Sequence, residues 1–319
     1  IDVANEIYFL QSLSKTQSLA IITLIFKEKG QRNDITNWRP ISLLCTDYKI
    51  ITKALANRLK KTIHHILSPD QTCGVPGRTI QSNLTLTRNI IYHAKQKKRQ
   101  TYILTVDQEK AFDKVNIKFL DKILIKCNIG PYFRNWIQIL YKNITSQIQN
   151  NGHFSDVINI TRGVRQGCPI SPLLYTLIVE TLAEAIKVDP QIRGYKFGKY
   201  NIKVSQYADD ITLFLQDLQS YDQTLYVLSR FERGSGSTIN KKKTEGLYIH
   251  SRVDPYATHD ITWKNGTEDG LKILGIHFFT DLEQTMNYNY ARAIGKFKIR
   301  LQRWTQRTLS IKGKALIIK

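Results

Sequence analysis

The sequence has little cysteine, a single methionine and no long hydrophobic run. Its four cysteines are 28, 54 and 41 residues apart in a chain of 319 residues, which matches neither a CxxC metal site nor a dense disulfide framework. We therefore expect reduced thiols and an intracellular protein. The longest apolar stretch, Ala20 to Phe26, is interrupted by Thr23 and falls far short of the ~20 residues of a membrane-spanning helix.

Signals for initiation and targeting are also missing. The chain begins at Ile1, its one methionine is Met286, and no basic segment precedes a small-residue cleavage site. We expect a piece of a longer protein that acts in the nucleus or the cytoplasm, with no membrane partner. Hydrophobic residues make up 42% and aromatic residues 10% of the chain, which excludes a disordered polycation and leaves room for two or three subdomains.

Acidic residues are scarce relative to basic ones. There are 26 Asp and Glu against 47 Lys and Arg, a formal net charge of +21. The bases concentrate in the segments 48–65, 95–99 and 281–319, which flank a middle that holds the conspicuous acids. This distribution favours a nucleic acid partner over anionic lipid and fits a basic channel with a metal site at its floor.

Periodic segments follow one another without strict βαβ alternation. Apolar residues at helical spacing predict helices at 49–67, 82–96, 117–127, 132–144, 172–187, 221–233 and 289–307. Runs of β-branched and aromatic residues predict strands at 20–27, 101–107, 203–206, 211–216, 246–250 and 271–278. The mixture favours an α+β fold around an antiparallel sheet.

Conspicuous acids occur at the ends of predicted strands. Asp107 ends an apolar strand, where a carboxylate can leave the sheet for a cleft, although a strand-to-helix turn explains it equally simply. In Tyr207-Ala-Asp-Asp210, two adjacent acids lie between two strand-like runs. This pattern predicts a hairpin with Ala208 and Asp209 at a partly buried tip. A surface Asp-Asp turn is the alternative.

A shared metal site follows if this hairpin pairs beside the earlier strand. Asp107 and Asp209 would then meet although 102 residues separate them. Two facing carboxylates can hold two Mg²⁺ ions about 4 Å apart, which activates an attacking hydroxyl and stabilises a leaving pyrophosphate. Seven histidines without ligand spacing, and the absence of serine-hydrolase, P-loop and dinucleotide motifs, leave no strong competing chemistry.

Six motifs occur in a fixed order along the chain. They are Asn37-Trp-Arg-Pro-Ile-Ser-Leu-Leu44, Gly74-Val-Pro-Gly-Arg78, Asp107 with Phe112-Asp113, Arg162-Gly-Val-Arg-Gln-Gly-Cys-Pro-Ile-Ser-Pro-Leu-Leu174, Tyr207-Ala-Asp-Asp210 and Leu271-Lys-Ile-Leu-Gly-Ile276. Together they resemble the reverse transcriptase domain of non-LTR retrotransposons, in particular the long-interspersed-element group. The resemblance runs through essentially the whole chain.

The resemblance implies a right-hand polymerase fold with an antiparallel-sheet palm, fingers and a partial thumb. Residues 1–100 would form an N-terminal segment and fingers, 101–280 the palm with interleaved fingers elements, and 281–319 the partial thumb. The implied activity is RNA-directed DNA synthesis, in which a primer 3′-hydroxyl is extended with dNTPs on an RNA template. An endonuclease domain is expected elsewhere in the parent protein.

The same resemblance assigns the catalytic residues. Asp107 and Asp209 are expected to hold two Mg²⁺ ions, with Mn²⁺ as a substitute, and Asp210 is the second acid of the same turn. Phe112 matches a bulky gate that collides with a 2′-hydroxyl and so favours deoxynucleotides. Asp113 is expected to brace the local helix rather than to bind metal. By pattern alone, Phe112 is equally a core aromatic.

Four further residues are expected to contact the nucleotide. Arg39 matches an arginine on the triphosphate, where a guanidinium bridges phosphate oxygens in a fork. Gln166 and Gly167 match the pocket for the new base pair, and Lys243 a proton donor near the leaving pyrophosphate. A ligand-free helix-start turn is the alternative for Gln166 and Gly167, and general attraction of phosphate by the three consecutive lysines is the alternative for Lys243. Helping roles for Lys27 or Lys29 also stay open.

Two other functions remain as alternatives. A catalytically inactive remnant could bind RNA or an RNA–DNA duplex, but intact Asp107, Asp209, Asp210, Gln166 and Phe112 argue against decay. A polymerase that makes RNA from RNA must admit the 2′-hydroxyl, which Phe112 opposes.

Overall fold

A computed structural model describes residues 1–28, 30–250, 261–305, 307 and 310–318 of the chain. Its helices are α1 (Asp2–Leu10), α2 (Lys15–Ser18), α3 (Thr46–Lys60), α4 (Ile63–Ile66), α5 (Ile80–Gln96), α6 (Ile117–Lys126), α7 (Pro131–Tyr141), α8 (Ser171–Val188), α9 (Leu218–Ser235), α10 (Leu282–Thr305) and α11 (Ile311–Ile318). Its strands are β1 (Leu19–Phe26), β2 (Trp38–Leu43), β3 (Thr101–Val106), β4 (Gln108–Glu109), β5 (Thr145–Asn150), β6 (His153–Phe154), β7 (Ile158–Asn159), β8 (Tyr195–Phe197), β9 (Tyr200–Ile202), β10 (Val204–Tyr207), β11 (Asp210–Leu215), β12 (Thr238–Ile239), β13 (Glu245–Ile249), β14 (Thr262–Lys264), β15 (Leu271–Ile273) and β16 (Ile276–Phe278).

The central sheet has the strand order β10-β11-β3-β13-β14. Its pairs are antiparallel except for β13 with β14. Side chains of β3 alternate between two cores: Tyr102 and Leu104 pack in the larger core with Leu174 of α8, whereas Ile103 packs in the smaller core with Ile90 of α5. The sheet is therefore buried on both faces, and the predicted α+β fold with an antiparallel sheet is confirmed.

A second sheet combines segments that are distant in sequence. Its order is β2-β1-β5-β6, with β7 also paired to β5. Strand β1 is antiparallel to β2 and parallel to β5. Strand β2 lies at the edge, where Pro40 is tolerated because its missing N–H is not needed by a neighbour. The sequence pattern did not predict β2, since a proline inside a run is typical of a loop.

Three predicted elements differ from the structure. The predicted helix 49–67 is wrong as one helix: α3 ends at Lys60, and the hydroxyl of Thr62 donates to the carbonyl of Leu59 before α4 begins. The predicted helix 132–144 ends at Tyr141, two residues before Asn143 takes a φ of 51°. The predicted strand 271–278 is wrong as one strand, because it forms the two-stranded hairpin β15–β16.

The last predicted helix begins earlier in the structure than the apolar periodicity indicates. Helix α10 starts at Leu282, whereas the pattern predicts a start at 289. Residues 306, 308, 309 and 319 of the predicted thumb lie outside the described residues. The division into 1–100, 101–280 and 281–319 stays a prediction. Within the described ranges, no helix is both long and apolar enough to cross a membrane.

Candidate active site

The acidic motif forms the predicted hairpin. Tyr207 of β10 pairs with Asp210 of β11, which leaves Ala208 and Asp209 as a two-residue turn. Ala208 has a φ of 55°, the left-handed backbone that tight hairpin turns need. The expected partial burial holds for Tyr207 and Ala208 but is wrong for Asp209, which is exposed because the turn projects beyond the strands.

The central sheet brings the distant acids together. Ile211 of β11 pairs with Val106 of β3, so the same antiparallel register, continued by one residue, puts Asp107 beside Asp210. Both carboxylates line a cleft of about 670 Å³ that also contains Lys243. Asp209 does not line this cleft, but its charge acts on both acids.

Burial, together with nearby negative charge, opposes ionisation of Asp107 and Asp210. Burial raises the pKa of Asp107, Lys243 and then Lys27 oppose this rise, and the negative charge of Asp209 adds to it. Reduced hydration, followed by the charges of Asp209 and Asp107, raises the pKa of Asp210 to about 6. A bound cation would stabilise the ionised form of such crowded carboxylates.

The donor set fits a hard divalent cation. Carboxylate oxygens are the ligands that Mg²⁺ and Mn²⁺ prefer, and Mg²⁺ is commonly held by one or two carboxylates together with substrate phosphates. Across the described part of the chain, no group of three or more His, Cys, Asp or Glu side chains forms a complete metal site. Asp107 and Asp209 could contribute two carboxylates to such a site, with water or phosphate oxygens as the further ligands.

The acidic turn is held by Gln71, which sequence reasoning missed. The Gln71 side-chain oxygen accepts hydrogen bonds from the backbone N–H groups of Ala208, at 3.0 Å, and Cys73, at 3.1 Å. Gln71 is fully buried and forms a parallel bridge with Gln206 of β10. The Arg78 guanidinium fixes this loop by donating to the Gln71 carbonyl at 2.7 Å. The motif containing Arg78 was the only sequence signal near Gln71.

Gln71→Met is expected to slow nucleotide addition about tenfold. Methionine has a similar volume but leaves the partly buried Ala208 N–H without its acceptor, which costs about 1–3 kcal/mol. Single-turnover extension at several Mg²⁺ concentrations would measure the rate and the half-saturating metal concentration, which should rise. Gln191→Met, at an exposed position, is the control. A lower melting temperature with an unchanged rate would show that Gln71 supports only the fold.

The candidate gate Phe112 lies against a buried tyrosine near the acids. Its ring stacks on Tyr175 with a centroid distance of 4.8 Å and an interplanar angle of 19°. The Tyr175 hydroxyl donates to the side-chain oxygen of Gln108 at 2.7 Å. Burial, and then the charge of Asp209, raises the pKa of Tyr175 well above its usual value. Phe112 is partly exposed, and its ring packs against Tyr175, on which the charge of Asp209 in the acidic turn acts.

The Gln166-Gly167 turn joins the two sheets. The Gln166 side-chain N–H donates to the Asp113 carboxylate at 2.9 Å. The backbone carbonyl of Gln166 accepts a hydrogen bond from the backbone N–H of Ser42 on β2, also at 2.9 Å. Asp113 itself lies in a turn, so the expectation that it braces a helix is wrong, and its carboxylate instead holds the Gln166 side chain. Gly167 has a φ of 109°, and a Cβ there would lie 2.6 Å from the Ser42 carbonyl oxygen. Only glycine allows this close approach.

Gly167→Ala is expected to lower the free energy of unfolding by about 3 kcal/mol, since it combines positive-φ strain with a backbone clash. Denaturant titration would measure the loss. Gly152→Ala is the matched control, because Gly152 has a φ of 81° but nothing within 4 Å of its added Cβ, and we expect about 1 kcal/mol there. Equal losses for the two variants would contradict the importance of the Ser42 contact.

The remaining nucleotide-contact predictions have unequal structural support. Lys243 lines the acidic cleft, and its positive charge acts on Asp107. Arg39 is exposed on β2, and within the described ranges no contact joins it to the cleft, so its role stays a prediction. Lys27 acts electrostatically on Asp107. Lys29 lies outside the described residues.

Comparisons with known proteins agree with this arrangement. A family model described as reverse transcriptase (RNA-dependent DNA polymerase) matches residues 26–278. A 149 kDa protein of transposon TX1 from Xenopus laevis is 34% identical over 306 residues, covering 94% of this chain and 23% of that protein. A Pol polyprotein from the type-1 retrotransposable element R2 of Popillia japonica is 27% identical over 248 residues, covering 76% of this chain and 34% of its own length.

A solved structure is similar in fold. Telomerase from Candida tropicalis, in complex with a fragment of telomeric RNA, has a TM-score of 0.59 at 11% identity, and the match covers 88% of this chain and 46% of that one. The chain spans only 23% and 34% of the two curated relatives. From the match to the family model and these relatives, the chain belongs to the reverse transcriptase (RNA-dependent DNA polymerase) family and is a reverse transcriptase domain of the non-LTR retrotransposon type.

Proposed function

We propose that this domain is an RNA-directed DNA polymerase that extends the 3′-hydroxyl of a DNA primer with dNTPs on an RNA template. The observation that carries this proposal is the pairing of β3 with β11, which brings Asp107 beside Asp210 in a cleft that contains Lys243, next to the turn that holds Asp209. Phosphoryl transfer needs an aligned hydroxyl and compensation of charge on the transferring group, and this cleft offers both signs of charge.

Asp107 and Asp209 are the proposed ligands of two Mg²⁺ ions, for which Mn²⁺ can substitute. When bound, such ions favour deprotonation of the primer hydroxyl and neutralise charge on the phosphates. Asp210 is the second acid of the same turn and lies beside Asp107 in the cleft. Lys243, beside Asp107, is the proposed source of positive charge, and of a proton, for the departing pyrophosphate.

The incoming nucleotide would be selected by residues around the Phe112 ring. Phe112 is the proposed gate against a 2′-hydroxyl. Because its ring stacks on Tyr175, the ring cannot move away to make room for that hydroxyl. Gln166 and Gly167 would lie against the new base pair, and Arg39 would contact the triphosphate from β2. These roles follow from the family resemblance and from the packing of Phe112 and Gln166.

The proposed partners are an RNA template, a DNA primer or target, and dNTPs, all polyanions that suit a net charge of +21. Because the chain spans only part of its relatives, we infer an endonuclease domain elsewhere in the parent protein. Copying element RNA into DNA at a chromosomal target requires access to the nucleus, so we infer nuclear action after synthesis in the cytoplasm.

The test is extension of a labelled DNA primer annealed to an RNA template. We expect elongation with dNTPs and Mg²⁺ or Mn²⁺, no product with a chelator, and little product with ribonucleotides. A domain that binds the hybrid but never extends it would be the inactive remnant. Equal use of ribonucleotides would contradict the proposed gate and favour the RNA-polymerase alternative.

A further inference from the structure

An exposed basic and aromatic surface lies at the end of the central sheet opposite the acids. We call it the distal-palm surface and define it by Lys98, Arg99, Lys196, Phe197, Lys199 and Tyr200. Its residues belong to the turn between α5 and β3 and to the hairpin β8–β9. Strand β3 starts next to this turn at Thr101 and ends before Asp107, so about 20 Å of strand separates the surface from the acids.

The two parts of the distal-palm surface are fixed to each other. The Arg99 guanidinium donates to the Lys196 carbonyl at 2.7 Å, which ties the turn to the hairpin. Behind them, buried Tyr195 packs in the smaller core, and its hydroxyl is hydrogen-bonded to His93 of α5. The hairpin therefore presents its outer side chains from a rigid base.

Positive charge on this surface is not neutralised by neighbouring acids. Among the described residues, none of its four basic side chains forms an ion pair with a carboxylate. The nearby Asp217 and Asp281 are paired with Arg193, at 3.0 Å, and Lys95, at 2.9 Å. A cleft of about 510 Å³ between Arg99 and Lys196 is also lined by the paired Arg193 and Asp217, so its bases outnumber its one acid and it adds a concave space for an anion.

Two aromatic rings are interleaved with these bases. Phe197 is 44% exposed and Tyr200 is 62% exposed. The His93 ring supports Phe197 with a centroid distance of 4.7 Å, and the Lys199 ammonium lies 5.5 Å from the Tyr200 ring. Exposed rings beside lysines are the arrangement on which unpaired bases stack while the phosphates are held. An acidic peptide would use the charges but not the rings.

We propose that the distal-palm surface binds single-stranded nucleic acid, with Phe197 and Tyr200 stacking bases and the surrounding lysines and Arg99 contacting phosphates. The surface would hold an unpaired strand away from the polymerase cleft. This binding does not require catalysis, so it can fail or succeed independently of the proposed polymerase activity.

The test is fluorescence anisotropy of the full chain with labelled single-stranded RNA and DNA of about 12 nucleotides, within the range such platforms occupy. A saturating short, unlabelled primer–template hybrid keeps the polymerase cleft filled. The double variants Phe197→Ala/Tyr200→Ala and Lys196→Glu/Lys199→Glu should each bind about tenfold more weakly, as expected for losing a base stack or phosphate contacts. Comparison of the RNA and DNA probes identifies which strand is preferred.

Controls separate local contacts from general charge and folding. Lys118→Glu/Lys122→Glu on α6 matches the charge change, and Tyr132→Ala matches the loss of an exposed aromatic ring. All variants should melt like the wild type and add one nucleotide to the short hybrid at the wild-type rate. Unchanged affinity in the surface variants, equal losses in the controls, or equally effective competition by polyglutamate would overturn the proposal.

Discussion

Asp209→Asn is expected to reduce primer extension by about three orders of magnitude while hybrid binding changes by less than about twofold. The substitution removes a proposed metal-binding carboxylate at an exposed turn and keeps the size of the side chain. Binding should persist because the lost charge is negative and the bound hybrid is a polyanion. Single-turnover extension and anisotropy with the same labelled hybrid would measure the two effects.

Asp107→Asn should behave in the same way, because the two acids are proposed to act on the same metal pair. The matched control is Asp222→Asn, an exposed aspartate on α9 outside the cleft, which should extend the primer at the wild-type rate. Extension by Asp209→Asn within about tenfold of wild type would refute the proposed metal site.

Phe112→Ala is expected to lower discrimination against ribonucleotides about 100-fold, a size typical of a steric pocket that loses one bulky contact. The smaller side chain leaves space for a 2′-hydroxyl, so the kcat/KM for ribonucleotides should rise while that for dNTPs falls modestly. Competitive incorporation of each dNTP and its ribonucleotide on one template would measure the ratio.

Tyr175→Phe is the informative companion of this variant. It keeps the ring on which Phe112 stacks and removes only the hydroxyl that donates to Gln108. Selection for dNTPs should therefore be retained. If Phe112→Ala still rejects ribonucleotides as well as the wild type does, Phe112 is a packing residue and another group excludes the 2′-hydroxyl.

The acidic pair could be predicted from sequence because its geometry depends on local patterns. Asp107 follows a strongly apolar strand, and Asp209 lies at a two-residue hairpin turn, so only the pairing of β3 with β11 had to be inferred. The order of the six motifs supplied that inference. Strand β2 was missed because Pro40 breaks the strand pattern, and an edge position, which tolerates it, depends on the whole sheet.

The support around the acids could not be predicted in the same way. Gln71 holds Ala208 across 137 residues, and neither residue has a local pattern that reveals the contact. The hairpin β8–β9 is short and lies among lysines, so its sequence resembles a solvated loop. The predicted helix 49–67 is too long because the apolar periodicity continues past Thr62. In the structure, α3 ends at Lys60, and the Thr62 hydroxyl donates a hydrogen bond to the Leu59 carbonyl just after that end.

The position of β3 in the central sheet has a consequence for the order in which the protein matures during translation. Its two neighbours, β11 and β13, end at Leu215 and Ile249, so a ribosome that has just produced β3 must add more than a hundred residues before either edge is covered. Until then, an apolar strand with free backbone groups is available to other chains, the condition that favours aggregation and recruits chaperones. Asp107 and Asp209, the proposed metal ligands, therefore meet only after about a hundred further residues have been made, and a nascent fragment that ends before β11 lacks the proposed metal site.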